Sequence, residues 1–170
     1  MRTQGVSPAE VPPIVLIVDD DRDTRDLYQT VFELAGFWVA EATDAESALQ
    51  QAVDLQPDVV VTDIGLRGNC DGIALASRIH GVAKTADLPV IAVTGHSLSD
   101  IGPEAEFSEI LEKPVRPDTL VETTRRVLAA STALRARGAV ARARIPDLLE
   151  KSERLLKKSE LLRGRRDCGD

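Results

Sequence analysis

Short apolar runs alternate with stretches of helical periodicity along most of this chain. The run Ile14–Val18 is continuous and branched, bounded by Pro13 and Asp19. Such a run reads as a strand buried on both faces. Leu27, Tyr28, Val31, Phe32, Leu34 and Ala35 follow at helical spacings, and Gly36 stops that helix in the usual C-terminal position. Trp38–Ala40 makes a short second strand. Thr43, Asp44, Ala45 and Glu46 resemble a capping box ahead of a stripe of Ala45, Ala48, Leu49, Ala52 and Val53, which Pro57 ends. Val59–Thr62 reads as a third buried strand. Ile73, Ala76 and Ile79 mark a third helix closed by Gly81, and Pro89–Val93 is a fourth strand. Ser97 opens a short helical stretch that Gly102 and Pro103 interrupt. Glu109–Leu111 is a weak fifth strand. Pro117 suits the first turn of a further helix, with Leu120, Thr124, Val127, Leu128 and Ser131 on one face.

Strands alternating with helices through short connections predict a parallel sheet with helices on both faces. For five strands the right-handed crossover rule favours the flavodoxin-like (βα)5 doubly wound order 2-1-3-4-5. The ligand site of such a sheet lies beyond the carboxyl ends of its strands.

Composition narrows the class. The chain has 170 residues, 43% hydrophobic and 29% charged, enough to bury a core. The apolar runs are far too short to span a membrane, and the first residues hold no apolar signal-peptide core. Two cysteines, Cys70 and Cys168, make neither a disulfide framework nor a metal site, so a cytoplasmic protein is expected. Charge is unevenly spread: residues 1–134 carry a net of −12 and residues 135–170 a net of +5. Three segments follow: a flexible leader over 1–13, a folded body over 14–134 and a basic helical extension over 135–170. The acidic body is a poor nucleic-acid binder, and the extension is too short for an ordinary DNA-binding domain, so DNA binding is not expected. In the extension, Leu148, Leu155 and Leu162 recur every seven residues, while Ser152 and Ser159 sit where a heptad seam wants apolar residues. An amphipathic helix packed on the body or a partner, dimerisation through that helix, and a disordered tail all remain open.

The residues that follow each strand carry the chemistry. Asp19, Asp20 and Asp21 follow the first, Asp63 the third, Thr94 the fourth, and Lys113 with Pro114 the fifth. Carboxylates gathered at one sheet edge repel one another, and a hard divalent cation removes that cost. Mg²⁺ takes oxygen ligands and keeps several waters, so one to three carboxylates suffice. A carboxylate beside such a cation and a lysine suits phosphoryl acceptance, with Thr94 placed to hydrogen-bond the acquired group. These residues point to a Mg²⁺-dependent aspartyl-phosphate switch with Asp63 as acceptor.

The same strings, Asp19-Asp20-Asp21, Pro57 to Asp63, Asp71-Gly72, Pro89 to Thr94 and Lys113-Pro114, resemble the CheY-like receiver domain of two-component response regulators over roughly Ile14–Leu134. The resemblance implies that Asp63 takes its phosphoryl group from a histidine kinase or histidine phosphotransfer protein, and that the product is read by a downstream protein. It implies Mg²⁺ ligation by Asp20, Asp63 and the backbone carbonyl of Gly65, with Asp19 acting through a metal-bound water. It also implies Lys113 pairing with the phosphoryl group, a cis Lys113–Pro114 bond, and catalysis confined to the protein's own phosphorylation and dephosphorylation. Three features depart from the family pattern. The loop from Asp63 to Gly72 is one residue longer and lacks the common proline. The interval from Thr94 to Lys113 is shorter. Ile110 stands where a switching aromatic is usual. These departures keep a second reading, a docking module that signals without phosphorylation. His80 and His96 are expected to be structural or exposed, and Cys70 an ordinary loop residue. Haloacid-dehalogenase-type chemistry is disfavoured by Asp23, which stands where its motif wants Thr or Val. Nucleotide-binding and serine-hydrolase strings are absent.

Overall fold

A strand with branched apolar side chains on both faces loses least in the middle of a sheet, and the three such strands sit there. In the computed structural model, which describes residues 12–68, 70–95 and 106–133, β1 (Ile14–Val18), β3 (Val59–Asp63) and β4 (Val90–Thr94) are central. The edges are β2 (Trp38–Ala42) and β5 (Glu109–Glu112). Every neighbouring pair is parallel, in the order β2-β1-β3-β4-β5. The central strands are almost wholly buried, whereas both edges are partly exposed. This is the expected flavodoxin-like sheet.

Alternation along the strands sorts the core into two layers. Leu16, Val18, Val60 and Val90 pack with Ala48 and Ala52 of α2 (Ala45–Leu55) and with Leu75 and Ile79 of α3 (Gly72–His80). Val15, Ile17, Val61, Ile91 and Val93 pack with Tyr28 and Phe32 of α1 (Arg22–Leu34) and with Leu120 and Val127 of α4, the helix over residues 117–133. Each fully buried large side chain contributes about 1.5–3 kcal/mol of transfer free energy. The two layers therefore hold the sheet from both sides, and the strand ends stay free for a site. Asp58 fixes the opposite edge: its Oδ2 accepts the N–H of Ile14, and its own N–H donates to the Ile14 carbonyl, both at 2.8 Å.

Two local expectations are corrected. Leu27 and Leu34 were expected on the buried stripe of α1, but they are 52% and 86% exposed. Each helical residue turns about 100° from the last, so Leu27 is rotated off the line through Tyr28 and Phe32 that faces the sheet. The second helix is capped by Asp44, not by a box starting at Thr43. Asp44 Oδ1 accepts the N–H groups of Glu46 at 3.1 Å and Ser47 at 2.9 Å, and Thr43 Oγ1 donates to the other oxygen. An ionised carboxylate one residue later is the stronger acceptor for both orphan N–H groups.

Those bonds hold the Asp44 carboxyl below its usual range, the Ser47 N–H contributing most. Asp44→Ala is expected to cost about 1 kcal/mol at neutral pH, as for other N-caps. A depressed folded pKa gives stability above the unfolded value of 3.8 that is lost as pH falls through the folded value. The gap between wild type and Asp44→Ala in thermal melts should therefore close towards pH 2, and a pH-independent gap would count against the cap.

The leader up to residue 11, the stretch around Ser97–Gly102 with His96, and the basic extension with its heptad-like leucines and Cys168 lie outside the described residues. The chain divides into a unit over Met1–Ser131 and a second over Thr132–Asp170. Among the described residues, no helix is long and apolar enough to cross a membrane.

Candidate functional site

Parallel strands point their carboxyl ends the same way, and the polar residues that follow them meet there. The acidic triplet after β1 divides its work. Asp19 is 2% exposed, and its Oδ1 accepts the Asp21 N–H at 2.8 Å. Arg25 of α1 donates to the Asp19 carbonyl at 2.7 Å, which anchors the turn. Asp21 leaves the cluster and caps α1, accepting the Thr24 N–H at 2.8 Å. Asp19, Asp20 and Asp63 remain together, each with a carboxylate oxygen within 4.8 Å of the others.

Lys113, just past β5, is the cation between them. Its Nζ is 3.2 Å from Asp19 Oδ2 and 3.1 Å from Asp63 Oδ2. Its backbone N–H donates to the Thr94 carbonyl at 2.7 Å, and the bond to Pro114 is cis. Burial alone would depress the Lys113 amine, but the carboxylates of Asp63 and Asp19 outweigh it and raise the pKa above the usual lysine value. Its positive charge is therefore held throughout the neutral range. Burial, helped by the negative charge of Asp63, raises the Asp19 carboxyl above its usual value; the Asp21 N–H and Lys113 only partly oppose this.

Asp63 ends β3, and its Oδ1 accepts the N–H of Gly65 at 3.1 Å. The following loop is drawn tightly back. Gly72, the first residue of α3, donates its N–H to the Ile64 carbonyl at 3.0 Å. A β-carbon on Gly72 would strike the Asp63 carbonyl oxygen and stand 2.9 Å from Ile64 Cα. Glycine is needed there because α3 starts against the backbone that carries Asp63. Thr94 ends β4, fully buried, one position beyond Val93, which pairs with Asp63.

The structure thus gathers Asp19, Asp20, Asp63 and Lys113 into one cluster, with Gly65 hydrogen-bonded to Asp63 and Thr94 at the end of the adjoining strand. Oxygen donors from several carboxylates are the set a hard divalent cation prefers, so this acidic pocket fits Mg²⁺. Sequence reasoning missed Arg67, whose Nε lies 2.7 Å from Asp20 Oδ2. The only sequence signal was a cation four residues past Asp63 in the same loop. His80 has a structural environment: Nε2 is 3.0 Å from the Leu88 carbonyl and Nδ1 3.2 Å from Glu106. Cys70 packs partly buried against the layer of α2 and α3. Ile110 lies half-buried on β5, opposite Ala92.

Comparison with known proteins agrees with this geometry. Residues 15–125 match the family described as the response regulator receiver domain. The chain is 38% identical over 117 residues to the C4-dicarboxylate transport transcriptional regulatory protein DctD of Rhizobium meliloti, covering 67% of this chain and 25% of that protein. It is 33% identical to the phosphate regulon transcriptional regulatory protein PhoB of Pseudomonas aeruginosa, covering 67% of this chain and 51% of the relative. The chain therefore spans a quarter to a half of these curated relatives. Among solved structures, a putative response regulator from Chloroflexus aurantiacus is 35% identical with a TM-score of 0.65, covering 69% of this chain and 98% of the other. The chemotaxis response regulator CheY4 of Vibrio cholerae is 25% identical with a TM-score of 0.64, covering 68% and 98%. With this fold, this strand-end cluster and a family match over residues 15–125, the chain belongs to the response regulator receiver domains of two-component systems.

Proposed function

We propose that Asp63 accepts a phosphoryl group from the phosphohistidine of a histidine kinase or histidine phosphotransfer protein, in a Mg²⁺-dependent reaction, and that the phosphorylated form signals by protein contact. The observation that carries this reading is the position of Lys113 Nζ, 3.1 Å from Asp63 and 3.2 Å from Asp19. A carboxylate held by a lysine at the carboxyl edge of the sheet, with two further acidic side chains beside it, suits phosphoryl acceptance.

In this reading, the Gly65 N–H and Lys113 orient the Asp63 carboxylate. An Asp63 oxygen bonds to phosphorus while the phosphorus–nitrogen bond of the donor breaks, and the imidazole leaves. Lys113 then turns its charge from the consumed carboxylate to the phosphoryl oxygens, and the Thr94 hydroxyl donates to one of them. Asp20, Asp63 and the Gly65 carbonyl would hold Mg²⁺ directly, with Asp19 acting through a bound water. When bound, the ion supplies charge neutralisation for the carboxylates and the incoming phosphoryl oxygens. Catalysis is confined to the protein's own phosphorylation and dephosphorylation. The setting proposed is cytoplasmic, and the output is a protein partner rather than DNA. The basic extension over 135–170 is proposed as a helical contact segment, through which the chain could also dimerise.

The test is the intact mass of the protein after incubation with acetyl phosphate and Mg²⁺. One added phosphoryl group, absent with EDTA, is expected. Absence of an adduct together with absence of beryllofluoride binding would sink the reading. A second measurement concerns the ion itself. A ligand bound only by the folded state at 100 times its dissociation constant stabilises by about 2.7 kcal/mol. Saturating Mg²⁺ should therefore raise the Tm by several degrees, and EDTA should reverse the rise. An unchanged Tm would remove Mg²⁺ from the proposal.

A further inference from the structure

The phosphoryl-acceptor reading leaves one charged group at the site without a role. Lys113 serves Asp19 and Asp63, while the carboxylate of Asp20 is paired with Arg67, Nε to Oδ2 at 2.7 Å. Among the described residues, Arg67 is the only cation in ion-pair contact with Asp20. The two side chains differ sharply in setting: Asp20 is 17% exposed and Arg67 89%. The guanidinium thus lies over the cluster from the solvent side, on a side chain with little packing to restrain it.

We propose that Arg67 is an internal counter-cation for Asp20 that competes with the divalent cation, so that the Asp20–Arg67 pair opens when the ion binds. The inference rests on the reading of Asp19, Asp20 and Asp63 as the cation site. The guanidinium, in ion-pair contact with Asp20 Oδ2 at 2.7 Å, stands against an oxygen that the cation needs as a ligand, and its positive charge repels a dication. Neither effect is large for a solvent-covered guanidinium, since water screens the charge and the side chain swings freely. Arg67 therefore tunes the affinity of the site without closing it. Without the ion, it lowers the cost of holding clustered carboxylates together, a task it shares with Lys113.

Isothermal titration of the purified chain with Mg²⁺, in wild type and in Arg67→Ala, tests the inference. Removing the competitor should tighten Mg²⁺ binding about two- to fivefold, the range corresponding to an exposed ion pair. Arg67→Lys should fall between the two, and the gain should shrink as ionic strength rises. In an Asp20→Asn background, the gain from Arg67→Ala should shrink, because the ion pair that holds Arg67 at the site is already gone. Melting curves in EDTA check that each variant is folded. Equal affinity in wild type and Arg67→Ala, or weaker binding in the variant, overturns the inference and leaves the cation site standing. Failure of wild type and Arg67→Ala alike to bind Mg²⁺ overturns both the cation site and the inference built on it.

Discussion

Asp63→Asn is expected to abolish phosphoryl uptake entirely, with the intact mass unchanged after acetyl phosphate and Mg²⁺. An amide oxygen is a far weaker nucleophile than a carboxylate, and the variant keeps the shape of the site. The asparagine Oδ1 can still accept the Gly65 N–H that Asp63 accepts at 3.1 Å, and Lys113 retains Asp19 at 3.2 Å. Folding should survive, because neutralising one of three clustered carboxylates relieves repulsion. The Tm should be unchanged or higher. Loss of the adduct in a folded protein would then report chemistry and not collapse. An adduct of undiminished yield on Asp63→Asn would move the acceptor elsewhere. If signalling in cells continued unchanged with this variant, the fold would be acting as a docking module that does not need phosphorylation.

Gly72→Ala should be the most damaging of the small substitutions. Helix propensity alone predicts the opposite, since alanine is favoured over glycine by about 1 kcal/mol inside a helix. Sterics decide the sign. The added methyl would overlap the Asp63 carbonyl oxygen and lie 2.9 Å from Ile64 Cα and 3.1 Å from the Asp63 carbonyl carbon. These are backbone atoms of a central strand end and cannot swing aside. Relief requires moving either the start of α3 or the end of β3, at a cost of about 1–3 kcal/mol. At about 2–8 °C per kcal/mol for domains of this size range, the Tm should fall by several degrees or more. The displaced group carries the acceptor, so acetyl phosphate uptake should slow as well. Gly95→Ala is the control, because a methyl there meets nothing within 4 Å. Equal Tm values for Gly72→Ala and wild type would show that the loop yields freely.

The order of the sheet was readable because burial leaves a compositional trace. Val15 to Val18, Val59 to Val61 and Val90 to Val93 are apolar on both faces, and residues of that kind are stable only in the interior of the sheet. The weaker runs at Trp38 and Glu109 became its edges. Most of the cluster was readable for a related reason. In a parallel sheet all carboxyl ends share one edge, so Asp19, Asp20, Asp63, Thr94 and Lys113 had to gather there whatever the details of packing.

Tertiary structure decided everything that depends on rotation about a helix axis or on contact between distant segments. Periodicity suggested a stripe on α1, but only the docking of Tyr28 and Phe32 on the sheet left Leu27 and Leu34 in water. The pattern Thr43 to Glu46 suggested a box starting at Thr43, but the folded backbone put the cap one residue later, at Asp44. The resemblance assigned the cation to Asp19 and Asp20 and left Asp21 without a role, which only the start of α1 supplied: its carboxylate accepts the N–H of Thr24. The pairing of Arg67 with Asp20 joins two loops that are 47 positions apart in the chain. By itself the sequence determined which strands are buried and which polar residues stand at their ends, because hydrophobic burial and chain direction are written locally. Which carboxylate caps a helix and which cation pairs with Asp20 were settled only by folding, because those contacts form between atoms that the fold alone brings within about 3 Å of one another.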